Sequence, residues 1–286
     1  MLIIPTGDTM NNWMDIYEER NYGGMPYRLL RPIDIADHPD KAYPLIFSLH
    51  GAGGKGTDNI KNLRHWNESP LAEETHRRKY PCFVLAPQTP LRWLVPNSMP
   101  EVTQEYIDSL TDIWQARVKR LLDRGDDLTA GDLGRAFDLL DAICDAFPID
   151  QDRIYVLGHS MGGFGTWNAV CAQPNRFAAA MPSAGGCEPW NDISRIVDVP
   201  IWTFHGDADA VVPVDLTQDA FRQLNALNAN TKYTELKDVG HNASAYGFAY
   251  TGDDPQRGFI THFASDQCDK TENVWDWLFA QKQGEV

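Results

Sequence analysis

Gly158-His159-Ser160-Met161-Gly162 sets a serine between a strand-like run, 153–157, and a helix-like stretch starting at Met161. A serine on a sharp strand-to-helix turn has an exposed hydroxyl, and the flanking glycines remove the Cβ atoms that would strike neighbouring backbone. That placement suits a nucleophile. An unassisted serine hydroxyl is a poor one, so the chemistry also needs a histidine as base and an acid to orient it. In chains built this way the acid and then the histidine follow the serine. The histidines after Ser160 are His205, His241 and His262. His205 ends a strand-like run with no room before it for an acid-bearing turn, and His262 sits in an ordinary run, 259–263. His241 follows the strand-like 232–236 and the turn Asp238-Val239-Gly240, which can swing its imidazole over the sheet edge towards Ser160. The acid falls in His205-Gly206-Asp207-Ala208-Asp209-Ala210-Val211-Val212-Pro213, where Asp207 and Asp209 compete. His205-x-Asp207-x-Asp209 can also be read as metal ligands, but no further ligand pattern accompanies it, and neither a metal nor a cofactor is expected.

A second chemical feature is the glycine-rich turn Gly51-Ala52-Gly53-Gly54-Lys55-Gly56 after the buried run 45–49. Its backbone N–H groups can hold an oxyanion. It also satisfies G-x-G-x-x-G, so a non-enzymatic dinucleotide- or ligand-binding α/β module is the competing reading. That fingerprint needs an acidic residue ending a second strand about 20 residues on. Glu73 and Glu74 lie instead in a polar, helix-prone stretch, and the module would leave Ser160, Asp209 and His241 unexplained. Lys55 is followed by Gly56 and not by Ser or Thr, so the turn is no P-loop.

These residues need a scaffold, and the apolar pattern predicts one. Strand-like runs at 27–33, 45–49, 82–86, 154–157, 178–182, 201–204 and 232–236 alternate with helical stretches. Leu133, Phe137, Leu140, Ile143 and Phe147 recur at helical spacing before Pro148, and 161–172, 214–227 and 273–281 read as further helices. The expected fold class is α/β, a mostly parallel sheet flanked by helices, in a single domain over 1–286. Two long polar stretches, 94–130 and 249–272, exceed ordinary connections and are candidates for a rim or lid. Ligands of such sheets bind beyond the carboxyl ends of the strands, where insertions of this kind sit.

The 286 residues, 43% apolar, suffice for a buried core, and the formal charge of −15 argues against nucleic acid or an anionic membrane as partner. The apolar stretch Met1–Ile4 stops at Pro5, far short of a signal-peptide core or a membrane span. A cytoplasmic protein is expected, although a leader already removed would leave no trace. Cys82, Cys144, Cys171, Cys187 and Cys268 are odd in number and lack CxxC spacing, so buried thiols are expected in place of disulfides or zinc. The composition sets no oligomeric state.

Gly206-x-x-Asp209-x-Val211-Val212-Pro213 after a strand resembles the acid loop of dienelactone-hydrolase-like and prolyl-oligopeptidase-like hydrolases. Further similarity runs through 49–59, Leu85-Ala86-Pro87-Gln88, 162–167 and 275–281. The chain thus resembles bacterial carboxylesterases of the α/β-hydrolase superfamily, in the feruloyl and polyhydroxybutyrate esterase neighbourhood. The resemblance implies Asp209 as the acid, with Asp207 capping the turn, and the N–H groups of Ala52 and Met161 as oxyanion donors, Gly53 being the alternative to Ala52. It implies a carboxylic-ester hydrolase working through an acyl-enzyme on a small acyl or aryl ester, feruloyl- or acetyl-type among them. A peptidase related to prolyl oligopeptidases is the alternative enzyme, and the chain lacks the length for that family's added propeller. Where such esterases carry Glu-Arg-Gly after the oxyanion turn, this chain has Gly54-Lys55-Gly56. Trp93, Trp190, Tyr246 and Phe248 adjoin the catalytic turns and are the candidates for substrate contact, whereas Trp167 is expected in the core.

Overall fold

Alternate residues of the central strands send apolar side chains to opposite faces, and this alternation builds two cores. In the strand Tyr43–Leu49, Leu45 and Phe47 join one core and Ile46 the other; in Ile149–His159, Val156 and Tyr155 divide the same way. Strands buried on both faces need helices on each side. The structure is a computed structural model describing residues 13–96 and 98–284; the Met1–Ile4 stretch lies outside the described residues.

In chain order the strands are β1 (Tyr17–Tyr22), β2 (Met25–Leu30), β3 (Tyr43–Leu49), β4 (Phe83–Pro87), β5 (Ile149–His159), β6 (Ala179–Ser183), β7 (Ile201–Gly206), β8 (Thr231–Leu236) and β9 (Phe259–Phe263). They form one sheet in the order β1-β2-β4-β3-β5-β6-β7-β8-β9. From β4 through β8 the neighbours in that order are parallel; β1, β2 and β9 pair antiparallel at the edges. The helices are α1 (His65–Glu68), α2 (Glu74–Lys79), α3 (Gln104–Ser109), α4 (Asp112–Asp123), α5 (Leu133–Ala146), α6 (Met161–Ala172), α7 (Asp215–Ala226), α8 (Ala243–Gly247) and α9 (Val274–Ala280). Side chains of α5, α6 and α7 pack into the first core, and those of α8 and α9 into the second. The mostly parallel sheet flanked by helices is the architecture expected from the sequence.

The two long stretches part company. Residues 94–130 leave and return at one place: Arg92 and Gly131 form a bridge, and Leu133 N–H donates to Leu94 O at 3.1 Å. A Cβ on Gly131 would collide with the Leu94 carbonyl, so the closure requires glycine there. Between these ends stand α3 and α4, with Ile107, Val118 and Leu128 forming a small core of their own. For 249–272 the rim-or-lid expectation needs correction. Its centre is β9, which extends the sheet beside β8 from Lys232↔Phe263 to Leu236↔Phe259. Pairing consumes one edge of its backbone and holds it in the plane of the sheet.

Candidate active site

The serine turn is held in a costly conformation. Ser160 adopts φ 58° and ψ −117°, a region where a non-glycine residue costs on the order of 1–3 kcal/mol. What holds it is backbone: Ser160 N–H donates to Ser183 O at 2.9 Å, tying the turn to β6. A Cβ on Gly162 would collide with the Leu49 carbonyl, so α6 can approach β3 this closely through glycine alone.

Ser160, His241 and Asp209 come together from three separate loops. Ser160 Oγ lies 2.8 Å from His241 Nε2, and His241 Nδ1 lies 2.7 Å from Asp209 Oδ2. Asp209 Oδ1 accepts from the N–H groups of Val211 (2.8 Å) and Val212 (2.9 Å). Burial acts to raise the Asp209 pKa; the bonds from His205, His241 and these two backbone groups outweigh it and hold the carboxyl far below the usual carboxylate range. Asp207 is exposed and accepts from Asp238 N–H at 2.6 Å, clamping the turn after β7 to the loop after β8 that carries His241. Among the described residues no acidic, histidine or cysteine cluster could hold a metal.

Sequence reasoning passed over His205, which is fully buried behind Asp209. Its Nε2 faces Val212 O at 2.9 Å and Asp209 Oδ2 at 3.2 Å, both acceptors, so that nitrogen carries a proton. Nδ1 lies 2.7 Å from Thr217 Oγ1. The acid is therefore gripped from both sides by imidazoles. His159, tilted against His241 with ring centroids 4.8 Å apart, is pushed down to about 3 by burial and then by His241, and stays neutral near pH 7.

The glycine-rich turn is a single 3-10 turn, Ala52–Gly54, and opens no longer helix, which removes the structural context a dinucleotide fingerprint needs. His50 is buried beneath it: its Nδ1–H donates to Gly51 O at 2.8 Å, and its Nε2 accepts from Thr89 N–H at 3.2 Å. Burial pushes His50 down to about 4, keeping it neutral for that role. Ala52 and Met161 each begin a helical turn, where the first N–H groups have no partner within the helix. Both line a cavity of about 310 Å³ that also exposes Ser160.

Of the aromatic residues expected to contact substrate, the cavity takes one. Trp93 lines it, although its indole N–H is spent on His50 O at 2.9 Å. Trp190, Tyr246 and Phe248 do not line it. Tyr246 packs edge-on against Phe259, and Phe248 against Trp66 and Phe204 in the second core. The walls are instead Phe164 of α6, 211–213 after the acid, Leu216 of α7, and Ile113, Ala116 and Leu121 of α4. Cationic side chains join them. Arg117 lies over the Phe164 ring at 3.6 Å, and burial pushes its guanidinium down to about 10 against the opposing charge of Glu188. All five cysteines are free; Cys144 is half-buried and the rest are buried. Among the described residues no helix is long and apolar enough to cross a membrane.

Residues 142–253, which include Ser160, Asp209 and His241, match the family model of PET hydrolase-like proteins. Over 95 residues the chain is 33% identical to cutinase est1 of Thermobifida alba, covering 32% of this chain and 30% of that protein. Over another 95-residue match it is 35% identical to a bis(hydroxyethyl) terephthalate hydrolase of Streptomyces coelicolor, covering 32% and 29%. The matched part thus spans about 30% of these relatives' length. A thermostable esterase of known structure superposes with a TM-score of 0.64 at 29% identity, over 94% of this chain and 64% of that one. A ferulic acid esterase from Anaeromyces mucronatus shares the fold, with a TM-score of 0.52 at 14% identity over 81% and 86% of the two chains.

Proposed function

We propose that this chain is an α/β-hydrolase that hydrolyses small carboxylic esters through an acyl-enzyme on Ser160. The observation that carries the reading is the continuous line Ser160 Oγ to His241 Nε2 to Asp209, opening into a cavity sized for a small acyl or aryl group. His241 takes the serine proton on Nε2 as Oγ attacks the carbonyl carbon, and Asp209 holds the Nδ1–H and stabilises the imidazolium. The N–H groups of Ala52 and Met161 receive the oxyanion, each such donor being worth about 3 kcal/mol of barrier. His241 then protonates the departing alcohol, and water repeats the sequence in reverse to free the acid. Asp209 stays ionised throughout because its partners hold it so.

Ser160→Ala, assayed with phenyl acetate and with the matching anilide, is the test. The wild type is expected to cleave the ester and react once with a fluorophosphonate, while the variant loses both. Undiminished turnover in the variant contradicts the reading, and cleavage of the anilide in preference to the ester assigns the same residues to a peptidase.

A further inference from the structure

The chain carries a formal charge of −15, yet the cavity that exposes Ser160 has the opposite sign. Lys55, Arg92, Arg117, Arg120 and Arg124 line it against the carboxylates of Asp126 and Asp215. Arg117 and Arg120 of α4 and Arg124, which caps its C-terminus, recur at helical spacing on one face beside Ile113. Arg120 donates to Val211 O at 3.0 Å, and Arg124 Nε stands 3.6 Å from Asp126. A cavity built for a neutral acyl chain has no use for this lining.

The innermost pair is under-compensated. Glu188, its side chain fully buried, bonds Arg92 Nη2 at 2.5 Å and accepts from Asn168 Nδ2 at 3.0 Å, leaving Arg117 Nη2 at 3.9 Å, beyond a hydrogen bond. One carboxylate therefore answers two guanidinium groups. Among the described residues, Arg92 Nη1 and Arg117 Nε are buried with no acceptor, and Arg92 is 9% exposed. Buried donors are almost always satisfied, and a guanidinium presents a planar fork that matches a carboxylate. Stacking on Phe164 holds the Arg117 plane in place, and Arg92 is pinned by Glu188, so the receptor is preorganised.

We propose that this cavity selects esters bearing a second, negatively charged group, a carboxylate on the acyl or alcohol part away from the scissile bond, and that Arg117 with Arg92 receives it. The inference rests on Ser160 being the hydrolytic nucleophile. It sets α4, and with it the 94–130 excursion, as the element that decides what the enzyme accepts.

The test compares kcat/KM within two pairs that differ by one carboxylate: 4-acetoxybenzoate against phenyl acetate, and monophenyl adipate against phenyl hexanoate. In the wild type the anionic member of at least one pair is expected to be favoured about tenfold, equivalent to about 1.4 kcal/mol. In Arg117→Gln the ratio should fall towards one, mostly through KM, and Arg117→Lys should restore part of it by returning the charge. Fluorophosphonate labelling of Ser160 checks that each variant has kept a folded site, and the wild-type ratios decide the matter if neither has. Neutral esters cleaved as well as their anionic partners overturn the inference while leaving the hydrolase reading intact. No turnover of any of the four esters, with no labelling of Ser160, overturns both.

Discussion

The 94–130 excursion and the 249–272 stretch are both long, polar and irregular, but one makes a wall of the active-site cavity and the other extends the sheet. The first is anchored where it leaves and where it returns, at Arg92 and Gly131, so the chain between is free to form a lobe over the strand ends. Trp114 of α4 plugs that lobe onto Phe164, Val212 and Leu216. The second runs beside β8 in register for five residues and continues towards α9, its Phe259 in the second core. What separates them is the partner available to backbone and apolar side chains. A free sheet edge captures one stretch, whereas the other is tied by backbone at its two ends and held between them by side-chain contacts. Substitutions on the cavity side should therefore show in kinetics, and those at the edge in stability.

The sharpest case on the cavity side is the loop that carries Asp209 and part of the wall. Asp209→Asn should lower kcat about 10,000-fold, the loss typical when the orienting acid becomes an amide, whereas Asp207→Asn should stay within about threefold of wild type. Steady-state kinetics of the two variants decides this, and the opposite ranking would move the acid to Asp207.

A smaller effect is expected at the lobe's plug. Trp114 is 3% exposed and donates to Asp219 Oδ2 at 3.2 Å. Trp114→Ala removes a buried side chain whose packing is worth about 3–5 kcal/mol, mostly local to the lobe. KM for a small ester should rise about tenfold with the sheet's thermal transition little changed. An unaltered KM would mean that α4 is not a working wall.

The edge predicts the smallest effect and one confined to stability. Lys232 on β8 is buried against Trp202 at 3.5 Å, and its ammonium donates to Thr271 O at 3.0 Å. Burial pushes its pKa from the ordinary 10.5 down to about 7, with Asp269 opposing. Because the folded value is the depressed one, the unfolded chain binds the extra proton between these limits. The penalty is complete below pH 7 and fades as pH rises to 10.5. Lys232→Met should raise the melting temperature by a few degrees at pH 6 and by less at pH 10, with ester kinetics unchanged. A larger gain at pH 10 would contradict the sign.

The same contrast explains what could be read from the sequence. Ser160, Asp209 and His241 each sit at the end of a strand whose apolar run is unmistakable, and the elbow and acid loop have short-range patterns. The parallel strands β3 to β8 were legible for the same reason. β1, Tyr-Glu-Glu-Arg-Asn-Tyr, was not, because a sheet edge facing water is made of polar residues. β9 was hidden in a stretch with one buried residue in five. α4 buries only Trp114 and Val118 of its twelve residues, and although the two share one face they join different clusters, so no long apolar stripe marks the helix. The guanidinium pair was invisible in principle. Arg92, Arg117 and Glu188 are far apart in sequence, and only the returning excursion and the loop after β6 bring them together. Tyr246 and Phe248 illustrate the converse: nearness in sequence to His241 placed neither in the cavity.

The central claim, that Ser160 carries the acyl group, is open to one direct measurement. Intact-mass spectrometry of the protein, acid-quenched within the first turnovers of phenyl acetate, should show a single acetyl adduct that maps to Ser160, decays as substrate is exhausted, and is absent from Ser160→Ala. An adduct on another residue, or turnover of the ester by Ser160→Ala at the wild-type rate, would contradict it.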